Sequence, residues 1–174
     1  SMSDDQSPEQ AAATAGPGTV VAFHYDLYDG KAQKLESSKA GNPVLCLYGE
    51  RGVLLPLQEA FVGKAAGDDF SITIPHEKAY GRRYPERKQR LSRKKIDGGK
   101  QQTFRVGQII TLRGEQGPTP ATITKVGKFN IDLDMNHPLA GVDLTFDVEI
   151  VSIREATAEE RAHGHAHGVG GHQH

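Results

Sequence analysis

The run Leu144-Thr-Phe-Asp-Val-Glu-Ile-Val-Ser-Ile153 alternates apolar and polar side chains over ten residues. Successive side chains of a strand point to opposite faces, so this pattern describes a long strand with one face buried and the other wet. Such a strand needs partners, and the sequence supplies them. Phe70-Ser-Ile-Thr-Ile74 alternates in the same way. Val20–Leu27 reads as a strand ended by the turn signal Asp29-Gly30, and shorter strands are predicted over 32–35 and 44–48. Leu54–Val62 carries apolar residues at 54, 57, 60 and 61, the spacing of a helix of about three turns packed by one face on a sheet. Pro56 is tolerable only in its first turn. The predicted class is α+β, an antiparallel sheet wrapped on a short helix.

Charge divides the chain. Residues 82–134 hold 13 Lys/Arg against 5 Asp/Glu, and the remainder holds 8 against 17. That asymmetry marks a separate unit, and the short strands predicted near 108–112, 121–126 and 129–133, set between Gly/Pro turns, make it a small inserted β domain. The expected organisation is a disordered segment over 1–18, a host domain over 19–81 and 135–157, the insert over 82–134, and a tail over 158–174. The basic run from Arg82 to Lys95 reads first as a solvated face and second as an attraction for acidic clients. Tyr84 is its only ring, which leaves nucleic-acid binding unsupported, as does a net charge of −1.

The 174 residues are 36% hydrophobic, enough for a real core. Cys46 is the single cysteine, which excludes an internal disulfide framework, and its apolar setting predicts a small buried hydrophobe rather than a nucleophile. No apolar stretch is long enough to span a membrane. The polar N-terminal segment lacks the basic and apolar regions of an export signal, so a cytoplasmic monomer is expected.

Five of the eight histidines fall at the C-terminal end, as His163, His165, His167, His172 and His174. Imidazoles alternating with Gly or Ala converge on one ion because the small residues add no bulk, and neutral imidazole suits Ni²⁺, with Zn²⁺, Cu²⁺ or Co²⁺ as competitors. His163, His165 and His167 are the first-choice ligands, and His172 and His174 are helpers. The bland alternative is a merely polar tail. His24, His76 and His137 are read as strand and turn residues rather than ligands.

His24-Tyr25, Leu35-Glu-Ser-Ser38, Val53-Leu54, Glu77-Lys-Ala-Tyr-Gly81 and Phe146-Asp-Val-Glu149 follow one another in an order that resembles the FKBP-type peptidyl-prolyl isomerases. The insertion after Gly81, the motif Asn136-His-Pro-Leu-Ala-Gly141 and the histidine-rich tail resemble the SlyD subfamily. The resemblance covers about residues 18–168. It implies an isomerase domain, an insert-in-flap chaperone domain and a nickel-binding tail, with unfolded or proline-containing polypeptides as clients and nickel-enzyme maturation proteins as possible partners. It also implies a pocket lined by Tyr25, Leu35, Val53, Leu54, Leu57, Tyr80 and Phe146. In that pocket Tyr80 would offer a hydroxyl to the substrate carbonyl, Val53 and Leu54 main-chain hydrogen bonding, and Glu36 an acidic edge. The chain departs from many members by having Leu35 for Phe, Glu36 for Asp and Leu57 for Trp, which implies a smaller, softer pocket.

The chemistry implied needs no cofactor. Rotation about an X-Pro bond is slow because amide resonance must be broken. An apolar pocket favours the less polar twisted amide over the planar one, and each ~1.4 kcal/mol of that preference is worth about tenfold in rate. Taken on periodicity alone, every one of these apolar residues is a plain core position.

Overall fold

The computed structural model describes residues 11–96 and 103–168. Its strands are β1 (Thr19–Tyr28), β2 (Lys34–Ser37), β3 (Val44–Leu47), β4 (Asp69–Ile74), β5 (Lys88–Ser92), β6 (Ile109–Gly114), β7 (Gly117–Val126), β8 (Asn130–Asp134) and β9 (Leu144–Glu155). Two α-helices join them, α1 (Leu55–Phe61) and α2 (Ala158–His163). The described residues separate into two compact units, 11–79 with 143–168 and 80–142, each with its own antiparallel sheet.

In the first unit the strand order is β2-β1-β9-β4, with β3 pairing the other stretch of β1's free side. The alternation of β9 does what its sequence requires: Leu144, Phe146, Val148 and Ile150 are buried, while Asp147 and Glu149 are exposed. Register then fixes their neighbours. Phe146 lies opposite Leu27 on one side and Ile72 on the other, and Val148 lies between Tyr25 and Phe70. Helix α1 covers this face, with the Phe61 ring 4.9 Å from Phe23 and 6.2 Å from Phe70. Between Ala22 and Phe23 the register slips, leaving Val151 as an extra residue on β9, a bulge that bends the strand.

Three expectations are corrected here. Helix α1 has seven residues, about two turns rather than three. It starts at Leu55, with Pro56 in the first turn, and its buried side chains are Leu57, Gln58 and Phe61. Leu55 and Val62 are exposed. Residues 11–18, read from composition as disordered, are packed. Ala12 N–H donates to the Ile153 carbonyl (3.1 Å), and Ala15 N–H donates to the Lys64 carbonyl (2.9 Å), so the segment covers the stretch of β9 beyond β4. Residues 1–10 lie outside the described residues. Finally, β2 begins at Lys34 rather than 32, because Asp29 organises a turn in which its carboxylate accepts from Lys31 and Gln33 (both 2.9 Å) and Ala32 takes a positive φ of 63°.

The second unit has strand order β5-β8-β7-β6. Ile96, Phe104, Ala121, Ile123, Ile131 and Leu133 form its core. Strand β5 arises inside the basic run, where no alternation announces it. Several of those cations are structural: Arg90 forms a two-armed pair with Asp132 (2.7 and 3.2 Å), Arg83 pairs with Asp134, and Arg93 lies over the Phe104 ring. Arg82 and Arg87 flank Tyr84, 5.0 and 4.3 Å from its ring centre.

Candidate functional site

The predicted pocket residues come together in part. Tyr25 and Phe146 lie on the apolar face of neighbouring strands, with ring centres 5.7 Å apart at 54°. Tyr25 is buried, yet its hydroxyl reaches the sheet edge and donates to Glu36 Oε1 at 2.7 Å. Glu36 stands opposite Leu27 on β2, an exposed strand. Leu35, expected to line the pocket, is 40% exposed. Val53 and Leu57 are buried at the start of α1, and Leu54 is its half-buried N-cap. Tyr80 belongs to the second unit, where its ring stacks on His137 at 4.1 Å and 6°. Its assignment to the pocket rests on the sequence resemblance.

One residue organises this region without having been singled out. Gln58 is 0% exposed. Its Nε2 donates to the Glu50 carbonyl (2.7 Å) and the Val53 carbonyl (2.8 Å), and its Oε1 accepts from Gly49 N–H (2.6 Å). The loop carrying Val53 and Leu54 is thus held by one amide. With the Val53 carbonyl given to Gln58 and the Leu54 carbonyl to the first turn of α1, the hydrogen-bonding capacity left to this loop is in its N–H groups. The only sequence signal was a polar residue among apolar ones in a helical pattern, which ordinarily marks the solvent side.

The motif Asn136-His-Pro-Leu-Ala-Gly141 is structural. Asn136 is buried and acts as a strand partner for Tyr84: its Oδ1 accepts from Tyr84 N–H (2.9 Å), and its Nδ2 donates to the Tyr84 carbonyl (2.8 Å). Asp134 Oδ1 accepts from the Asn136 N–H and Nδ2 at 2.9 and 2.7 Å. Gly141 closes the motif by donating to the Gly81 carbonyl (2.7 Å) at φ 80°, where a Cβ would meet Arg83 at 3.1 Å. His137 Nδ1 accepts from Leu139 N–H, a turn role as expected. His24 bonds the Ser38 hydroxyl and His76 the Asp143 carboxylate. Burial pushes the Cys46 thiol well above its ordinary value, which keeps it an inert hydrophobe.

The tail histidines do converge. Helix α2 ends at His163, Gly164 takes a left-handed φ of 77°, and the chain turns back so that the rings of His163, His165 and His167 have centres 5.0–6.0 Å apart. A potential ligand atom from each lies within 4.8 Å of the others. His163 Nδ1 and His167 Nε2 are 3.2 Å apart. Two nitrogens bound to one ion at about 2.0–2.1 Å stand roughly 3.0–3.4 Å from each other, so this pair already has a chelating separation. The group can hold a metal ion. His172 and His174 lie outside the described residues.

An antiparallel sheet covered by one short helix, with Tyr25 and Phe146 in contact on neighbouring strands and a second β unit inserted in sequence between β4 and β9, is the arrangement expected of the FKBP class of prolyl isomerases. The model of the family described as FKBP-type peptidyl-prolyl cis-trans isomerase matches residues 11–151, and the chain belongs to that family. Its substrates are therefore polypeptides. Similar proteins include the FKBP-type peptidyl-prolyl cis-trans isomerase SlyD of Vibrio cholerae, 37% identical over 153 residues, covering 88% of this chain and 75% of the relative. The SlyD of Aeromonas hydrophila is 34% identical over 155 residues (89% and 72%), and that of Escherichia coli is 35% identical over 150 (86% and 76%). No helix among the described residues is long and apolar enough to cross a membrane.

Proposed function

We propose that the chain isomerises X-Pro bonds on the face formed by Tyr25, Val53, Leu57 and Phe146, and holds unfolded clients through its second unit. The observation that carries the catalytic assignment is the contact of Tyr25 with Phe146 at 5.7 Å, placed where the Tyr25 hydroxyl meets Glu36 at an open sheet edge. An apolar wall there receives the prolyl ring and strips water from the amide. The Val53 and Leu54 N–H groups are suited to hold a carbonyl, and Tyr25–Glu36 fixes the rim. No step needs a nucleophile or a bound ion. Leu35 contributes from an exposed position, and Tyr80 is included on the sequence resemblance.

The client-holding role is supported by the second unit's surface. Ile109 is 54% exposed and Phe129 71% exposed, although their neighbours Ile123 and Ile131 are fully buried. Ile109 also borders a groove of about 400 Å³ with Ile96, Ile110, Leu112, Lys95 and Arg113. Exposed apolar residues beside cations suit an apolar client segment flanked by acidic residues. Nickel carriage by His163, His165 and His167 completes the reading, with Zn²⁺, Cu²⁺ and Co²⁺ as competing ions and nickel-enzyme maturation proteins as recipients. A cytoplasmic setting accords with the unpaired Cys46.

The test is protease-free isomerisation of a short X-Pro peptide by wild type and Phe146→Ala. Losing the ring should lower kcat/KM at least tenfold while the fold survives at reduced stability. Unchanged turnover would place the active face elsewhere.

A further inference from the structure

We infer that Arg154 and Glu160 are positioning residues for the His163–His165–His167 site, and that metal binding is thereby linked to the docking of α2 on the first unit. This rests on the metal-binding reading above. A histidine-rich tail is ordinarily a flexible chain that must be ordered by the ion it captures, and that ordering weakens binding. Here the ordering is built in.

Glu160 is 1% exposed, an unusual position for a carboxylate on a terminal helix. Both its oxygens are in use. Arg154, reaching from the end of β9, donates to Oε1 and Oε2 at 2.7 Å each, a two-armed pair. Thr157 N–H donates to Oε1 (2.9 Å), closing a capping box in which the Thr157 hydroxyl accepts from Glu160 N–H (3.1 Å). The remaining donor is distant in sequence: His167 N–H reaches Oε2 at 2.7 Å. Arg154 also donates to the His167 carbonyl at 3.1 Å. The main chain of one ligand is therefore gripped on both sides by the buried pair. Burial alone would raise the Glu160 carboxyl, but Arg154 and the two main-chain donors outweigh it and hold it down to about 2.

Two further contacts fix the segment between helix and ligand. Gly164 N–H returns to the Glu160 carbonyl (2.8 Å), and Ala166, which separates His165 from His167, is buried with Val20, Leu47 and Ala156. His163 is carried by the helix, His167 by the buried pair, and His165 by the turn between them. The rings converge because a β-strand arginine and a helix glutamate set where the returning chain lies. Groups that orient metal ligands in this way typically change affinity by about 10–100-fold when removed.

The experiment uses the full chain with Ni²⁺ calorimetry and the visible spectrum of bound Co²⁺, which reports coordination geometry. Glu160→Gln keeps the side-chain volume but loses the charge that binds Arg154. Arg154→Lys is the second variant, retaining charge while losing the two-armed geometry and the His167 contact. Both should weaken Ni²⁺ binding at least tenfold and alter the Co²⁺ spectrum. Ni²⁺ saturation should raise the thermal midpoint of wild type more than that of either variant. Arg161→Gln, removing an exposed cation near Glu155 (3.7 Å), should change neither affinity nor spectrum. If either variant that stays folded by circular dichroism binds Ni²⁺ with wild-type affinity and gives the wild-type Co²⁺ spectrum, the positioning role is refuted while the site stands. No binding by wild type would instead remove the metal site itself.

Discussion

Gln58→Met is the substitution that best separates a merely filled core from an organised site. Methionine matches glutamine in length and flexibility, so little cavity forms, but it offers neither the donor nor the acceptor that Gln58 supplies to Gly49, Glu50 and Val53. The Val53 bond is fully buried, and an unpartnered buried carbonyl costs about 1–3 kcal/mol. The other two bonds are partly solvated, and each is worth the ordinary net value of about 0.5–1.5 kcal/mol because water can replace the amide. Burying methionine in place of glutamine returns roughly 1 kcal/mol. The expected loss is therefore about 1–5 kcal/mol, read as a lower urea midpoint at unchanged slope.

The same change should reach catalysis. Gln58 fixes the loop on which Val53 and Leu54 sit, and displacement of a substrate-facing element by about 1 Å can cost as much as 100-fold. A fall in kcat/KM of about threefold or more on a short X-Pro peptide is expected, measured where the variant is still fully folded. Leu55→Gln, one turn away on the exposed side of α1, provides the contrast and should alter neither quantity. A loss below about 0.5 kcal/mol would show that water replaces all three bonds. Lost stability with untouched turnover would show that the loop's position does not matter to the substrate, and either result refutes the reasoning.

Tyr80→Phe keeps the stacking on His137 and removes only the hydroxyl, so kcat/KM should fall by up to about tenfold, the worth of one hydrogen bond to the substrate carbonyl, in protein that remains folded. Unaltered turnover would remove Tyr80 from the mechanism. Ile109→Ser with Phe129→Ser changes exposed positions of the second unit and should weaken suppression of client aggregation without altering peptide turnover or the urea midpoint. Equal suppression would place client binding elsewhere. Burial works to raise the Asp134 carboxyl, but the Asn136 donors and Arg83 outweigh it and hold it below the ordinary 3.8. A carboxylate depressed in the folded state stabilises above its unfolded value, and that contribution is lost as pH falls below about 3.8. Thermal midpoints taken from pH 6 downward should therefore drop more steeply below that point in wild type than in Asp134→Asn, and parallel curves would contradict this.

Strand positions were readable wherever one face is buried, because burial imposes the period of two: β9 and β4 appear in the sequence almost as they stand. Helix α1 was overextended because its flanking residues Leu54 and Val62 are apolar without being core, and hydrophobic spacing does not distinguish an exposed leucine from a packed one. Strand β5 was hidden for the opposite reason. It is an edge strand whose exposed side chains are Lys88, Gln89 and Arg90, so nothing in its pattern records the ladder to β8. Pro118 and Pro120 similarly disguised the start of β7. Both lie before Thr122, where β8 joins, in a stretch that pairs only with β6 and leaves its other edge unpaired. Gln58, Glu160 and Asn136 share one lesson. A buried polar side chain is identified by partners that lie elsewhere in the fold or on the main chain, and composition carries no trace of them.

On the proposed reading, the exposed strand carrying Glu36 beside the buried Tyr25 also bears on why client holding would accompany catalysis. Leu35 is not drawn inward and Glu36 remains on an exposed strand, so a prolyl segment meets a partly open wall rather than an enclosed cavity. An open wall gives limited transition-state preference per encounter. It compensates only if encounters are frequent, and a client held by the same chain supplies them: short linkage gives effective concentrations of about millimolar order. The chain crosses between the units twice, at 79–80 and 142–143, so a client bound on the second unit cannot drift from the first without dissociating. On that account the two activities are unequal in what they require of the sequence. In the proposed scheme catalysis asks for a few apolar side chains in register, while holding asks that Ile109 and Phe129 stay exposed beside the core of the second unit.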